Sequence, residues 1–290
     1  MTIAGPPEVS REIAEALERH QVQCRRIELV SPLRERKGIR FAYRVDTADG
    51  GTVKLRHFGA AADARAHLEL RAGLEEAFAP ALARSGAVLF EAWIDGVALT
   101  ELDAEARSEE AGALLGRLHA RPLGPGVEPA CATRRWRAGA ESDVEILRRA
   151  GSLAPGEAAT LLAELSRCDP GTARVALIHK DFCAENMLVD GLGRLRVIDN
   201  EQLEIGPAGF DLGRTFHRWP MSAAAWAGFV RGYRSSSSPS SDPEATGFWR
   251  MVAALVGGRV FLERAPERLD ATLALLRRFV AGQDLDGAAR

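Results

Sequence analysis

Leu177-Ile-His-Lys-Asp-Phe-Cys-Ala-Glu-Asn-Met-Leu-Val189, followed after a glycine turn by Arg196-Val-Ile-Asp-Asn-Glu201, is the stretch on which the reading of the chain turns. An apolar run, Val175 to Ile178, leads into a polar loop. A β-type run follows at Met187 to Val189, then a turn at Gly191 to Gly193, then a second run at Leu195 to Asp199. The stretch holds the pattern H-x-D-x-x-x-x-N as His179, Asp181 and Asn186, and a second aspartate, Asp199, ends the hairpin. Residues of these types at this spacing suit phosphoryl transfer. That chemistry needs a carboxylate to orient and deprotonate an attacking hydroxyl, and hard oxygen ligands to hold magnesium against nucleotide phosphates. Asp181 is the candidate catalytic base, and Asn186 and Asp199 are the candidate metal ligands. A neutral amide beside two carboxylates limits their mutual repulsion when the metal is absent.

Before this stretch the chain changes character near residue 95. Glu8 to His20 carries Val9, Ile13, Ala16 and Leu17 on one helical face. Short β-type runs follow at Arg26–Leu33, Ile39–Thr47 and Thr52–Phe58, the last two joined by Asp49-Gly50-Gly51 as a hairpin turn. Ala60 to Ala79 has helical periodicity, and Val88 to Ile94 reads as one more strand. This predicts a small α+β unit over 1–95. The remainder, 96–290, is mostly helical, with helices predicted at Ala104–Ala120, Ser142–Ala150 and Glu157–Arg167, and with the loop and hairpin as its exception. Ser235 to Ser241 reads as a flexible connection between C-terminal helices.

Composition narrows the class. Apolar residues make up 46% of the 290 and charged residues 27%, ordinary for a globular protein. The net charge of −2, from 38 basic and 40 acidic residues, points away from nucleic acid. No apolar run approaches the roughly 20 residues needed to span a bilayer, so no membrane partner is expected. The four cysteines lack C-x-x-C spacing and the N-terminus lacks a secretory pattern, so a cytoplasmic setting is expected.

The motifs together resemble the aminoglycoside phosphotransferase and choline kinase family. That family places such a loop before a hairpin ending I-D-x-E, here Ile198-Asp199-Asn200-Glu201. A G-x-x-x-x-D-L-(A/G)-R stretch follows, matching Gly206 to Arg214 with Asp211 as its acid. Upstream lie a helix ending L-x-x-L-H at Leu115 to His119 and a hinge strand of type E-x-I-x-G, here Glu91 to Gly96. The resemblance implies a bilobal protein-kinase-like α+β fold, with a small N-terminal β-sheet lobe and a larger helical lobe. It implies ATP or GTP with Mg2+, and transfer to a small-molecule hydroxyl. Lys54, one of only three lysines, takes the position that grips the nucleotide phosphates. Glu69 matches its pairing glutamate, with Glu75 and Glu76 as alternatives. Glu91 and Trp93, on the hinge, are implied to line the nucleotide. His179 is expected to orient the loop, and Asp211 to accept its backbone N–H groups. Glu201, Phe216 and Trp219 are the candidates for acceptor contact, and His119 is expected to be structural.

The sequence also departs from the family. The loop expected over the phosphates, Arg34-Glu-Arg-Lys-Gly38, has one glycine. Lys180 stands where aminoglycoside kinases carry glycine, and Asn200 replaces an aromatic residue. Only eleven residues, Asn200 to Phe210, separate Asp199 from Asp211, and no A-P-E motif occurs, which leaves little room for a peptide platform and argues against a protein kinase. Two alternatives stay open: an aminoglycoside-modifying resistance kinase and a catalytically weak nucleotide-binding module. From Glu201 onward eleven arginines face ten acids, not the acid excess expected of a site for polycations, which favours a neutral or partly anionic acceptor.

Overall fold

In the computed structural model, residues 7–32, 41–236 and 246–283 are described. The Arg34–Gly38 loop and most of the Ser235–Ser241 connection lie outside them. The chain forms two compact units, Met1–Val97 with Leu188–Glu201, and Ala98–Met187 with Gln202–Arg290. The sequence reading cut the chain once, between 95 and 96. The segment Leu188–Glu201 instead groups with the first unit because its backbone and side chains bond there. The Arg196 guanidinium donates to the carbonyls of Glu75 and Phe78 at 2.7 Å each, and the Val197 N–H donates to the Ala77 carbonyl at 2.9 Å.

In the first unit α1 (Pro7–Arg19) precedes three strands, β1 (Cys24–Pro32), β2 (Phe41–Thr47) and β3 (Thr52–His57). The β2–β3 turn uses Gly50 at φ +87°, a conformation that glycine adopts without a steric penalty. α2 (Ala61–Arg71) is shorter than its periodicity suggests, because the chain turns at Gly73 (φ +76°) and then forms β4 (Ala81–Ser85) and β5 (Val88–Ala92). The sheet order is β1-β2-β3-β5-β4. Alternation decides its two faces. Tyr43, Val45, Leu55, Val88 and Phe90 bury against Val9, Ile13, Ala16 and Leu17 of α1. Each large side chain so buried contributes about 1.5–3 kcal/mol. Lys54 and Arg56, alternate with Val53 and Leu55 along β3, take the other face, and register sets Glu91 of β5 opposite Lys54.

A short strand, β6 (Gly96–Ala98), leads into the second unit. There α3 (Ser108–Ala120), β7 (Ala130–Ala132), α4 (Arg134–Arg149), α5 (Pro155–Cys168) and β8 (Thr172–Ile178) follow. The hairpin strands β9 (Met187–Asp190) and β10 (Leu195–Val197) form a sheet in the order β10-β9-β6. β11 (Glu204–Pro207) then pairs antiparallel with β8, setting Glu204 opposite Ile178. α6 (Ala208–Arg218), α7 (Ala223–Ser236), α8 (Thr246–Arg264) and α9 (Leu269–Val280) complete the chain. α3 and α7 cross closely enough that a Cβ on Gly112 would meet the Phe229 carbonyl, and one on Gly232 the Glu109 carbonyl. α4 begins well before the predicted Ser142: its first turn carries Arg134 to Arg137, with Trp136 packed on Phe210 at 4.7 Å and Arg137 paired with Asp169 at 3.1 Å. Among the described residues no helix is long and apolar enough to cross a membrane.

Candidate active site

β8 delivers the chain to His179 with its last four residues buried, so the loop starts from a fixed strand end. The loop then hangs from one carboxylate. Asp211, fully buried in the first turn of α6, accepts the N–H of His179 through Oδ2 and the N–H of Lys180 through Oδ1, both at 2.6 Å. His119 bridges to the same carboxylate, with Nε2 3.1 Å from Asp211 Oδ2 and Nδ1 2.9 Å from the Tyr233 hydroxyl. The Thr215 hydroxyl donates to the Phe182 carbonyl at 2.8 Å. Lys180 takes φ +72°, the left-handed region that side chains with a Cβ rarely occupy, and its ammonium reaches Glu204 at 3.1 Å. Residue 180 is where the family carries glycine, so backbone geometry accounts for that preference. His179 itself is fully buried, and its Nδ1 accepts the Asp181 N–H at 3.4 Å.

Asp181 emerges from this anchored turn partly exposed. Asn186 donates from Nδ2 to the Asp181 carbonyl at 2.8 Å and to Oδ2 at 3.1 Å, which leaves its amide oxygen as the remaining donor for a cation. Two guanidiniums flank the carboxylate: Arg214 Nη2 and Arg218 Nη1 lie 3.4 and 3.2 Å from Oδ1. Arg218 also pairs with Glu185, which Arg268 reaches at 3.0 Å. The sequence places Arg214 at the end of the Gly206–Arg214 stretch and Arg218 beside Phe216, His217 and Trp219 as a pocket candidate, but offers neither as a partner of Asp181. Their signal was spacing: residues 214 and 218 lie one helical turn apart and share a face of α6. Cys183 is buried, and burial, followed by the nearby Asp181 charge, pushes its thiol up to about 12, so it stays protonated and fills the loop.

The first unit gathers a second set of charges. Lys54 Nζ donates to the Ile198 carbonyl at 3.1 Å, and the anions facing it are Asp199 and Glu201. Burial, then the neighbouring Arg56, lowers Lys54 to about 7. Burial, then a hydrogen bond shared with Glu201, pushes Asp199 up to about 8. Burial alone would raise Glu201 too, but the bond from Asp199 and the charges of Arg56 and Lys54 outweigh it and bring Glu201 to about 2. Arg56 pairs with Glu91 at 2.8 Å and with Glu201 at 3.3 Å, and Arg71 of α2 closes on Glu91.

These contacts redistribute several expected roles. Glu69 is exposed on α2 beside Arg65 at 3.8 Å, and Glu75 and Glu76 are exposed as well; the carboxylates that face Lys54 come from the hairpin. Glu91 has no exposed surface, and its carboxylate pairs with Arg56 and Arg71. Trp93 lies beneath the Arg44 guanidinium at 4.9 Å. Glu201, an expected acceptor contact, is buried with Arg56 and Asp199. Trp219 packs in the core edge-on to Phe229, whereas Phe216 borders a cavity of about 350 Å³ that Arg218 also lines.

Comparison with known proteins follows this geometry. A family model described as the phosphotransferase enzyme family matches residues 33–249. The chain belongs to that family. No functionally curated protein sequence matches this phosphotransferase. Among solved structures it is similar to the choline kinase LicA of Streptococcus pneumoniae, with 14% identity, 95% of this chain and 99% of that chain covered, and a TM-score of 0.67. It is also similar to the macrolide 2'-phosphotransferase MphH of Brachybacterium faecium, with 17% identity, 93% and 98% covered, and a TM-score of 0.63. A thermostable mutant of the aminoglycoside phosphotransferase APH(4)-Ia, solved as a ternary complex with ADP and hygromycin B, matches at 16% identity with 92% and 97% covered and a TM-score of 0.63. These likenesses establish the protein-kinase-like fold.

The residues present suit magnesium. Asp199 brings a hard carboxylate to a buried spot, where burial and the bond shared with Glu201 raise its pKa, and a divalent ion beside it would offset the charge that burial disfavours. Among the described residues no three His, Cys, Asp or Glu side chains converge on a closed metal cage. Magnesium in phosphoryl-transfer sites needs no such cage, because it keeps water and phosphate oxygens in its shell.

Proposed function

We propose that this phosphotransferase is a small-molecule kinase that moves the γ-phosphoryl group of ATP or GTP to a hydroxyl. The observation that carries the reading is the loop in which Asp211 fixes the backbone on the N-terminal side of Asp181 while Asn186 fixes the carboxylate itself. Such preorganisation is what a group that must meet an incoming hydroxyl requires. Asp181 orients the acceptor and takes its proton as the acceptor oxygen bonds to the γ-phosphorus. The bond from that phosphorus to the β–γ bridging oxygen breaks, and the nucleoside diphosphate departs. Lys54 holds the nucleotide phosphates, while Asn186 and Asp199 are the magnesium ligands. Magnesium, when bound, neutralises charge on the phosphates. Glu201, paired with Arg56, holds Asp199 in place.

ADP and hygromycin B in the complex of the aminoglycoside phosphotransferase, and AMP in a complex of the choline kinase, support a nucleotide and a small acceptor here. The test is nucleotide consumption with ATP and GTP across a panel of hydroxylated small molecules with and without magnesium. Acceptor-dependent, magnesium-dependent release of the diphosphate is expected. Phosphorylation of a protein substrate with no small acceptor consumed would overturn the reading.

A further inference from the structure

The cavity beside Asp181 has an electrostatic character that the family resemblance does not supply. It lies wholly within the second unit, between the end of α6 and the length of α9, with a volume of about 350 Å³, within the range of small-molecule sites. Three guanidiniums, Arg218, Arg268 and Arg278, line it, and no carboxylate does among the described residues. Phe216, Phe261 and Leu275 supply an apolar wall. His217, also on the lining, is held neutral: burial and the charges of Arg214, Arg218 and Arg268 lower it to about 3, and its Nε2 is bonded to the Thr272 hydroxyl at 2.9 Å.

Arg218 joins this cavity to the chemistry, because its guanidinium reaches the Asp181 carboxylate as well. Glu185 answers part of the charge on Arg218 and Arg268 from outside the lining. Arg278 donates to the Gln283 side chain at 3.3 Å, and no carboxylate pairs with it among the described residues. Around cavity and loop together, the four guanidiniums of Arg214, Arg218, Arg268 and Arg278 face the two carboxylates of Asp181 and Glu185. A cationic acceptor placed here would meet like charges in a partly desolvated space. An anion would meet planar forks that match carboxylate and phosphate oxygens.

We propose that the phosphate acceptor is a hydroxylated anion, its carboxylate or phosphate held by Arg218, Arg268 and Arg278 and its hydroxyl turned to Asp181. The placement of the hydroxyl rests on the kinase reading; the anion site does not. The apolar wall sets the rest of the acceptor as a hydrocarbon or aromatic body.

The probes are 2,3-dihydroxypropanoate, its amide and 3-aminopropane-1,2-diol, with phenyl-substituted analogues of each and with inorganic phosphate. Binding is measured by calorimetry, and ADP release with ATP and magnesium, for the wild type and an Arg268→Gln/Arg278→Gln variant. The acids should bind more than about tenfold more tightly than their amides and the amines most weakly. The preference should weaken with salt and disappear in the double variant. Equal binding of acid and amide, tighter binding of the amine, no binding of acids or phosphate, or a preference unchanged in the double variant overturns the proposal. ADP release keeps the two claims apart. Release driven equally by amides or amines sinks the anion site and leaves the kinase reading standing. An arginine-dependent anion preference with no ADP release from any probe does the reverse.

Discussion

Asp211 holds Lys180 by its main chain: the carboxylate accepts the Lys180 N–H at 2.6 Å while that residue sits at φ +72°. A left-handed lysine costs about 1–2 kcal/mol over the right-handed form, and its ion pair with the half-exposed Glu204 returns less than about 1 kcal/mol. Lys180→Gly should therefore stabilise the protein by at most about 1 kcal/mol in urea unfolding, because the strain relief is offset by about 0.4–1 kcal/mol for the glycine's freer unfolded chain. Lys180→Val should destabilise it. A glycine variant less stable than wild type would mean that the Glu204 pair outweighs the backbone term.

Asp211→Asn keeps the shape of the side chain but exchanges one acceptor oxygen for an amide that cannot accept. One of the His179 and Lys180 N–H groups is then left unbonded in a buried place, at a cost of about 1–3 kcal/mol. Turnover should fall together with stability, while His119→Asn, which removes only the bridge to Tyr233, should cost less. Denaturation midpoints and kcat measured on the two variants check the order.

Glu91 closes two buried guanidiniums, Arg56 and Arg71. Glu91→Ala should destabilise by about 3–5 kcal/mol, because it strands the buried Arg71 and leaves Arg56 with Glu201 as its one acidic partner among the described residues. Replacement of all three residues by apolar side chains of similar volume should recover only part of that loss, because it also removes the Arg56 partner of the buried Glu201. Thermal unfolding of the single and triple variants measures it.

The loop and the hairpin were legible because each carries a local signature, an apolar strand, a polar loop of fixed length and a glycine turn, whereas the role of Asp211 came from the family resemblance. β4, β6, β7 and β11 were not, since runs of three to five residues such as Ala81-Leu-Ala-Arg-Ser85 show no readable alternation. The start of α4 was hidden in an arginine-rich turn whose apolar anchor, Trp136, meets a residue distant in sequence, Phe210. Charge pairing was the least legible feature. The family resemblance offered Glu69 to Lys54, whereas cross-strand register put Glu91 within reach of Arg56 and the hairpin brought Asp199 and Glu201 to Lys54. Periodicity says which face a residue takes, and only tertiary pairing says which charge it meets.

His217 gives a pH dependence of stability. Burial, then the charges of Arg214, Arg218 and Arg268, lowers it from 6.5 to about 3 in the folded protein. Between those values the unfolded chain binds a proton that the folded one refuses, so stability falls as pH drops below about 6.5 and this residue adds no slope above it. Urea unfolding from pH 4 to 8 should show a shallower acid-side slope in His217→Asn than in the wild type. Identical slopes would assign the acid sensitivity to other groups.

In the proposed mechanism Asp181 takes the acceptor's proton during phosphoryl transfer. Transfer of labelled γ-phosphate from ATP to the best acceptor of the panel, compared between wild type and Asp181→Asn at matched nucleotide occupancy, tests it most directly. The expected result is a fall in kcat of about 10²–10⁴-fold with the nucleotide Kd nearly unchanged. An Asp181→Asn enzyme that transfers phosphate at near wild-type kcat would contradict it.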